Sequence, residues 1–228
     1  MKTADDARAL ARALVSTANA AGCQTSAVIS DMNQPLAPAL GNALEVAEVM
    51  RVLCDGVGGP LAELSVALGG VLLADAGQVS DVDAGVAALA ASISDGRAAE
   101  HWGQMVAAMG GPVRFVDDWQ RFLPEATVIR EVKAPRAGFV TAVNGEALGL
   151  AVVSLGGGRQ VESDLVDPSV GLSDLVVLGT QVQTGDPLMR IHAAREDAAR
   201  QAEQAVLAAI TIRDLPAEVP PLIHESVR

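Results

Sequence analysis

The chain changes character at Gly110-Gly111-Pro112, and that change limits the folds open to it. Before it, apolar residues recur at helical spacing. After it, from Val128 to Arg190, Val, Gly and Thr dominate. Turn signals fall at Pro135-Arg136-Ala137-Gly138, Asn144-Gly145, Gly156-Gly157-Gly158 and Thr184-Gly185-Asp186-Pro187. Turns at such short intervals are the marks of short strands and hairpins. The expectation is α/β followed by α+β: residues 1–112 as a first domain, 113–127 as a connector, and 128–228 as a second domain. Half of the 228 residues are hydrophobic, yet only three are Phe, two Trp and none Tyr. Ala, Val and Leu must fill the core, which suits helices packed closely on a sheet. A chain this long can bury roughly 70–75% of its unfolded surface and needs no staples.

Local signals place the first elements. Ala7, Leu10, Ala11, Leu14, Val15 and Ala18 trace one face of a helix over residues 4–21, with Thr3 and Asp6 as a capping box and Gly22 as its stop. Thr25–Ser30 is a short strand candidate, its Ala27, Val28 and Ile29 buried as in a parallel sheet. A loop over Asp31–Gly41 holds Pro35 and Pro38, and Asn42 caps the next helix with Glu45 in its third position. Pro60 opens an apolar helix to about Ala76, interrupted at Gly69-Gly70. Ser80 and Asp83 make a capping box before Val82–Ser94, and another helix starts near Arg97 with Ala98, Trp102, Met105 and Met109 on one side. The last helix spans roughly Ala193–Ala209 with Ala198, Ala202, Val206 and Ile210 as its stripe. The tail from Pro216 is extended.

Charge and cysteine usage remove several function classes. The net charge of −12, from 28 acidic and 16 basic residues, disfavours nucleic acid and anionic membrane surfaces, both of which need a basic face. The scarcity of aromatics removes the usual stacking platform for single strands. Cys23 and Cys54 form no C-x-x-C pair. The longest apolar run, Leu64–Ala74, falls well short of the roughly 20 residues a membrane helix needs, and the opening lacks a signal-peptide core. The expectation is a soluble cytoplasmic protein.

The segment Ser30-Asp31-Met32-Asn33-Gln34-Pro35-Leu36, followed by Asn42-Ala43-Leu44-Glu45-Val46, resembles the thymidine and pyrimidine-nucleoside phosphorylases. Further matches come in order: the opening Met1-Lys2-Thr3, Ala147-Leu148-Gly149-Leu150 through Gly158-Arg159, Ser169-Val170-Gly171-Leu172, and Ile191-His192-Ala193. In that family the Asp31 segment lies mid-polypeptide, so the chain resembles the C-terminal half. The resemblance implies part of the α/β nucleoside-phosphorylase domain, then a C-terminal α+β module. Lys133–Val140 and Val182–Leu188 look like two halves of a barrel-sandwich. Biotinyl and lipoyl carriers share that fold, but no Lys lies between Gly138 and Asp186 to carry a prosthetic group.

The implied activity is phosphorolysis in nucleoside salvage: a pyrimidine (deoxy)nucleoside and phosphate give free base and (deoxy)ribose 1-phosphate. The family's phosphate grip and base-binding His, Arg, Ser and Lys have no counterpart in this sequence. No catalytic residue is assigned, the substrate-binding residues are unidentified, and the chain alone is expected to be inactive. One family site carries over in part. Its potassium ion is held by two loop carbonyls and a helix Glu, which fall here on Leu36, Ala39 and Glu48. Hard cations want such oxygen ligands. The alternative for Glu48 is a solvated helix residue. The intact enzyme is expected to be a homodimer, formed largely through a helical region absent here.

Other motifs carry less. Gly156-Gly157-Gly158-Arg159 could cradle phosphate but reads better as a hairpin turn. His101, His192 and His224 are scattered and read as packing or surface residues. Asp31 either lines a cleft or braces its loop, and Asn33 and Gln34 share that ambiguity. The alternative to an enzyme part is a freestanding, non-catalytic binding module derived from the same family.

Overall fold

The computed structural model describes residues 3–228; Met1 and Lys2, the start of the Met-Lys-Thr match, lie outside the described residues. In chain order the elements are α1 (Ala4–Ala20), β1 (Ala27–Ser30), α2 (Asn42–Asp55), α3 (Pro60–Asp75), α4 (Val82–Ser94), α5 (Arg97–Ala108) and the short α6 (Trp119–Phe122). There follow β2 (Val128–Lys133), β3 (Gly138–Val143), α7 (Gly145–Val152), β4 (Gly171–Ser173), β5 (Gln181–Val182), β6 (Pro187–Ala193), α8 (Glu196–Ala209), β7 (Ile210–Arg213) and β8 (Ile223–Val227). Two compact units interleave along the chain. One takes the residues up to Asp31, Val52–His101 and Pro220–Arg228; the other takes Met32–Arg51 and Trp102–Val219. The linear divisions at residues 112 and 127 therefore do not coincide with these units.

In the first unit the α1 cap acts as read from sequence. The Thr3 hydroxyl accepts the Asp6 N–H at 3.1 Å. At α4 the cap itself is Asp81, not Ser80: its Oδ1 accepts the Ala84 N–H at 2.8 Å while Ser80 Oγ donates to its other oxygen. Helix α1 buries only Ala11 and Val15, so Leu10 and Leu14 of the expected stripe face outward. β1 is half-buried throughout and pairs antiparallel with β8, in the register Ala27↔Val227 to Ile29↔Glu225. The parallel-sheet environment expected for Ala27–Ile29 is thus replaced by an antiparallel partner drawn from the extended tail. Helix α3 continues through Gly69-Gly70. A Cβ on Gly85 would sit 2.6 Å from the Gly70 carbonyl oxygen, so α3 and α4 meet backbone to backbone. Glycine serves there as a packing surface rather than a break.

The second unit holds a large core. Sheet β2-β6-β4 and sheet β5-β3-β7 are both antiparallel and three-stranded. Leu148, Leu172, Leu188, Met189, Ile191, Val132, Val140 and Val206 are fully buried among them and against α7 and α8. The expected hairpin from β2 to β3 does not form, because the Pro135 turn carries the chain from one sheet to the other. The two segments read as barrel-sandwich halves do meet: Ala134 N–H donates to the Asp186 carbonyl at 2.8 Å and Gly185 N–H to the Ala134 carbonyl at 2.9 Å. Among the described residues no closed barrel forms.

Three sequence expectations give way here. Asn144-Gly145 starts α7 instead of a hairpin, Asn144 Oδ1 accepting the Ala147 N–H at 3.0 Å. Gly156-Gly157-Gly158 closes a π-helical turn after α7, also not a hairpin. Helix α8 starts at Glu196, since β6 runs on to Ala193, and Ile210 opens β7. Its buried stripe uses Ala199, Ala202, Val206 and Ala209. The 113–127 stretch is itself folded, with Phe115 and Trp119 buried and the Phe115 and Phe122 rings 6.1 Å apart.

Candidate cation site and its setting

Leu36, Ala39 and Glu48 all belong to the second unit. Leu36 is half-buried and Ala39 only 2% exposed. Glu48 is 9% exposed, so it is not a solvated helix residue. One turn on, the Arg51 guanidinium donates to Glu48 Oε1 and answers its charge. A carboxylate removed from water needs such a partner or a cation. The N-terminus of α2 is organised one residue before the expected cap: Glu45 Oε1 accepts the Gly41 N–H at 3.0 Å, and Asn42 is already helical.

The loop before α2 has an uneven hydrogen-bond pattern. The Pro38 carbonyl accepts the Leu175 N–H and the Leu40 carbonyl accepts the Leu172 N–H. Among the described residues, no backbone N–H donates to the Leu36 or Ala39 carbonyl. Two such carbonyls and a buried carboxylate match in kind what an alkali cation takes. No group of three or more His, Cys, Asp or Glu side chains suited to a metal occurs among the described residues, and a carbonyl-rich site is of a different type.

The remaining polar residues are more local in their commitments. Asp31 is buried, its N–H donating to the Leu222 carbonyl at 2.8 Å and its carboxylate lying 3.6 Å from His224 Nε2. Gln34 Oε1 accepts the Leu178 N–H at 2.9 Å. His192 Nε2 lies 2.9 Å from Ser173 Oγ, and Asp174 bridges that pair to Arg190 at 3.2 Å. Burial pushes the His192 pKa below the ordinary imidazole value; Arg190 adds to that and Asp174 opposes it. Asp174 is the one non-glycine residue with positive φ, at 52°, among the described residues. His101 is exposed. The Gly156 carbonyl accepts the Asp167 N–H at 2.9 Å, and a Cβ on Gly157 would press on Val152, so packing accounts for the glycine run.

Sequence reasoning missed Leu172, Leu175 and Leu178 as partners of the loop. Ser169-Val170-Gly171-Leu172 marked the region, but nothing in one dimension links it to residue 40.

Two family models match the chain. Residues 1–99 match the glycosyl transferase family, a/b domain, which sets the class as that of a glycosyl transferase family. Residues 139–213 match the pyrimidine nucleoside phosphorylase C-terminal domain. With both on one polypeptide in this order, the chain belongs to the thymidine/pyrimidine-nucleoside phosphorylase family. Helices with small sheets are compatible with that family's α/β plan. No single helix among the described residues is long and apolar enough to cross a membrane.

Proposed function

We propose that this chain forms part of a cytoplasmic phosphorylase of nucleoside salvage, which cleaves a pyrimidine (deoxy)nucleoside with phosphate to base and (deoxy)ribose 1-phosphate. The observation that carries this reading is the occurrence of both family domains on one chain. Phosphorolysis passes through a sugar with oxocarbenium character. The protein must hold phosphate on one face and accept charge on the departing base. These 228 residues hold no counterpart of the family's phosphate- and base-gripping segments. The chain's contribution is scaffold, cation loop and terminal module, and by itself it turns over nothing. The barrel-sandwich character of the module and homodimerisation of the intact enzyme belong to the same reading.

Leu36, Ala39 and Glu48 are the chain's share of a potassium site. The Leu36 and Ala39 carbonyls, which accept no backbone N–H among the described residues, and the buried Glu48 support it. Potassium, when bound, supplies a fixed positive charge that tethers the loop to α2. Glu48, which already accepts from Arg51, would be shared between that guanidinium and the cation.

The test is release of thymine or uracil from thymidine and uridine by the purified chain, with phosphate and potassium present. No turnover is expected alone, and activity returns on adding a polypeptide that carries the phosphate- and base-binding segments. Turnover by the chain alone overturns the inactive-part reading. Silence in both cases favours a non-catalytic binding module. For the cation, KCl should raise the melting temperature above that in equal choline chloride, and Glu48→Gln should abolish the difference.

A further inference from the structure

The loop over residues 32–41 is fastened to the segment over residues 168–178 by an unusually close backbone clasp. Leu40 and Leu172 exchange both backbone bonds, Leu40 N–H to the Leu172 carbonyl at 2.9 Å and Leu172 N–H to the Leu40 carbonyl at 2.7 Å. A glycine flanks each of them, and neither tolerates a side chain. A Cβ on Gly41 would lie 2.5 Å from the Val170 carbonyl oxygen, and one on Gly171 would run into the Leu40 carbonyl oxygen. Their φ values, 125° and 156°, are glycine's territory as well. Three more bonds extend the contact: Leu175 N–H to the Pro38 carbonyl at 3.1 Å, Ala43 N–H to the Pro168 carbonyl at 3.0 Å, and Leu178 N–H to Gln34 Oε1 at 2.9 Å.

The clasp sorts the loop carbonyls. It uses those of Pro38 and Leu40, on either side of Ala39. Among the described residues it leaves the Leu36 and Ala39 carbonyls without a backbone N–H. It also joins stretches belonging to different family domains, since residues 32–41 fall in the first match and residues 168–178 in the second. We infer that the 168–178 segment is the positioning element of the cation loop, with Gly41, Gly171 and Gln34 as positioning residues for the Leu36 and Ala39 carbonyls. The inference rests on the potassium reading above. Linkage then requires reciprocity: the clasp raises potassium affinity, and potassium tightens the clasp by the same factor. The C-terminal module thereby regulates a site it does not ligate.

Amide hydrogen exchange on the whole chain tests this, read on peptides covering residues 32–44 and 168–178 in KCl and in choline chloride. The strand β6 serves as internal control. Gly171→Ala should speed exchange in both peptides about tenfold and remove the slowing by potassium, with β6 unchanged. Gln34→Ala, a milder break that keeps the fold should Gly171→Ala not fold, should speed loop exchange about threefold. Gln34→Glu retains an acceptor and should behave as wild type. Wild-type exchange rates in both Gly171→Ala and Gln34→Ala overturn the clasp. A wild-type loop indifferent to potassium, yet loosened by these variants, overturns the potassium reading while the clasp stands.

Discussion

The two units are built by different means. All ten of the largest fully buried side chains, from Met50 and Leu148 to Val206, lie in the second unit. The first buries Ala11, Val15, Leu64 and Ala99 and brings α3 to α4 through Gly70 and Gly85. It also leaves Leu14 59% and Leu72 68% exposed. Hydrophobic burial scales with the apolar area removed from water, so the second unit carries most of that term. Close glycine contact contributes little area but tolerates no added atom. One unit is sensitive to losing volume, the other to gaining it.

Removing volume from the second unit should have the largest effect. Ile191 is fully buried in the central strand of its sheet, and Ile191→Ala should cost about 2–5 kcal/mol in urea unfolding. A loss well under that range would mean the core can collapse around the gap, and the contrast between units would weaken.

Adding volume to the first unit comes next. Gly85→Ala places a methyl against the Gly70 carbonyl, and overpacking of this kind costs about 1–3 kcal/mol despite the better helix propensity of Ala. Gly149→Ala in α7 is the matched control. Nothing lies within 4 Å of its Cβ position, so it should stabilise by about 0.4–1 kcal/mol. Opposite signs for the same substitution in two helices would confirm that Gly85 is a contact surface. Equal signs would remove the distinction.

A pH term belongs to the second unit. His192 has its folded pKa lowered by burial, below the ordinary value of 6.5. The unfolded chain therefore takes up this proton first as pH falls. The stability is present above about pH 6.5 and is lost as pH drops through the folded value. Melting temperatures between pH 7 and pH 5 should fall for wild type and fall less for His192→Gln. An unchanged slope would show that the Ser173–Asp174–Arg190 surroundings already accommodate the charge. The smallest effect is expected at Leu72, where Leu72→Gln should stay within about 0.5 kcal/mol. A larger loss would indicate that this exposed face is covered in solution.

Much of the helical half was legible because its signals are short-range. Thr3 to Asp6 is a capping contact three residues long, Pro60 sits at a helix start, and neither depends on what lies elsewhere. The α2 start was read within one residue, and only the Glu45 bond to Gly41 shifted it. Asn144-Gly145 failed for the opposite reason. A hairpin turn and an Asn-capped helix share that dipeptide, and the burial of Leu148, Ala151 and Val152 chose the helix.

The family, the order of its two domain matches and most of the helices were already legible in the linear chain. Those rest on motifs and on contacts between near neighbours. The folded chain alone reveals that Ala27 pairs with Val227, that Glu48 is buried with Arg51, and that residue 40 meets residue 172. Strand partners and burial depend on which backbones can approach, and that in turn depends on glycines such as Gly41 and Gly171. A glycine in a linear sequence announces conformational freedom but does not say which distant carbonyl will occupy the space its missing side chain leaves.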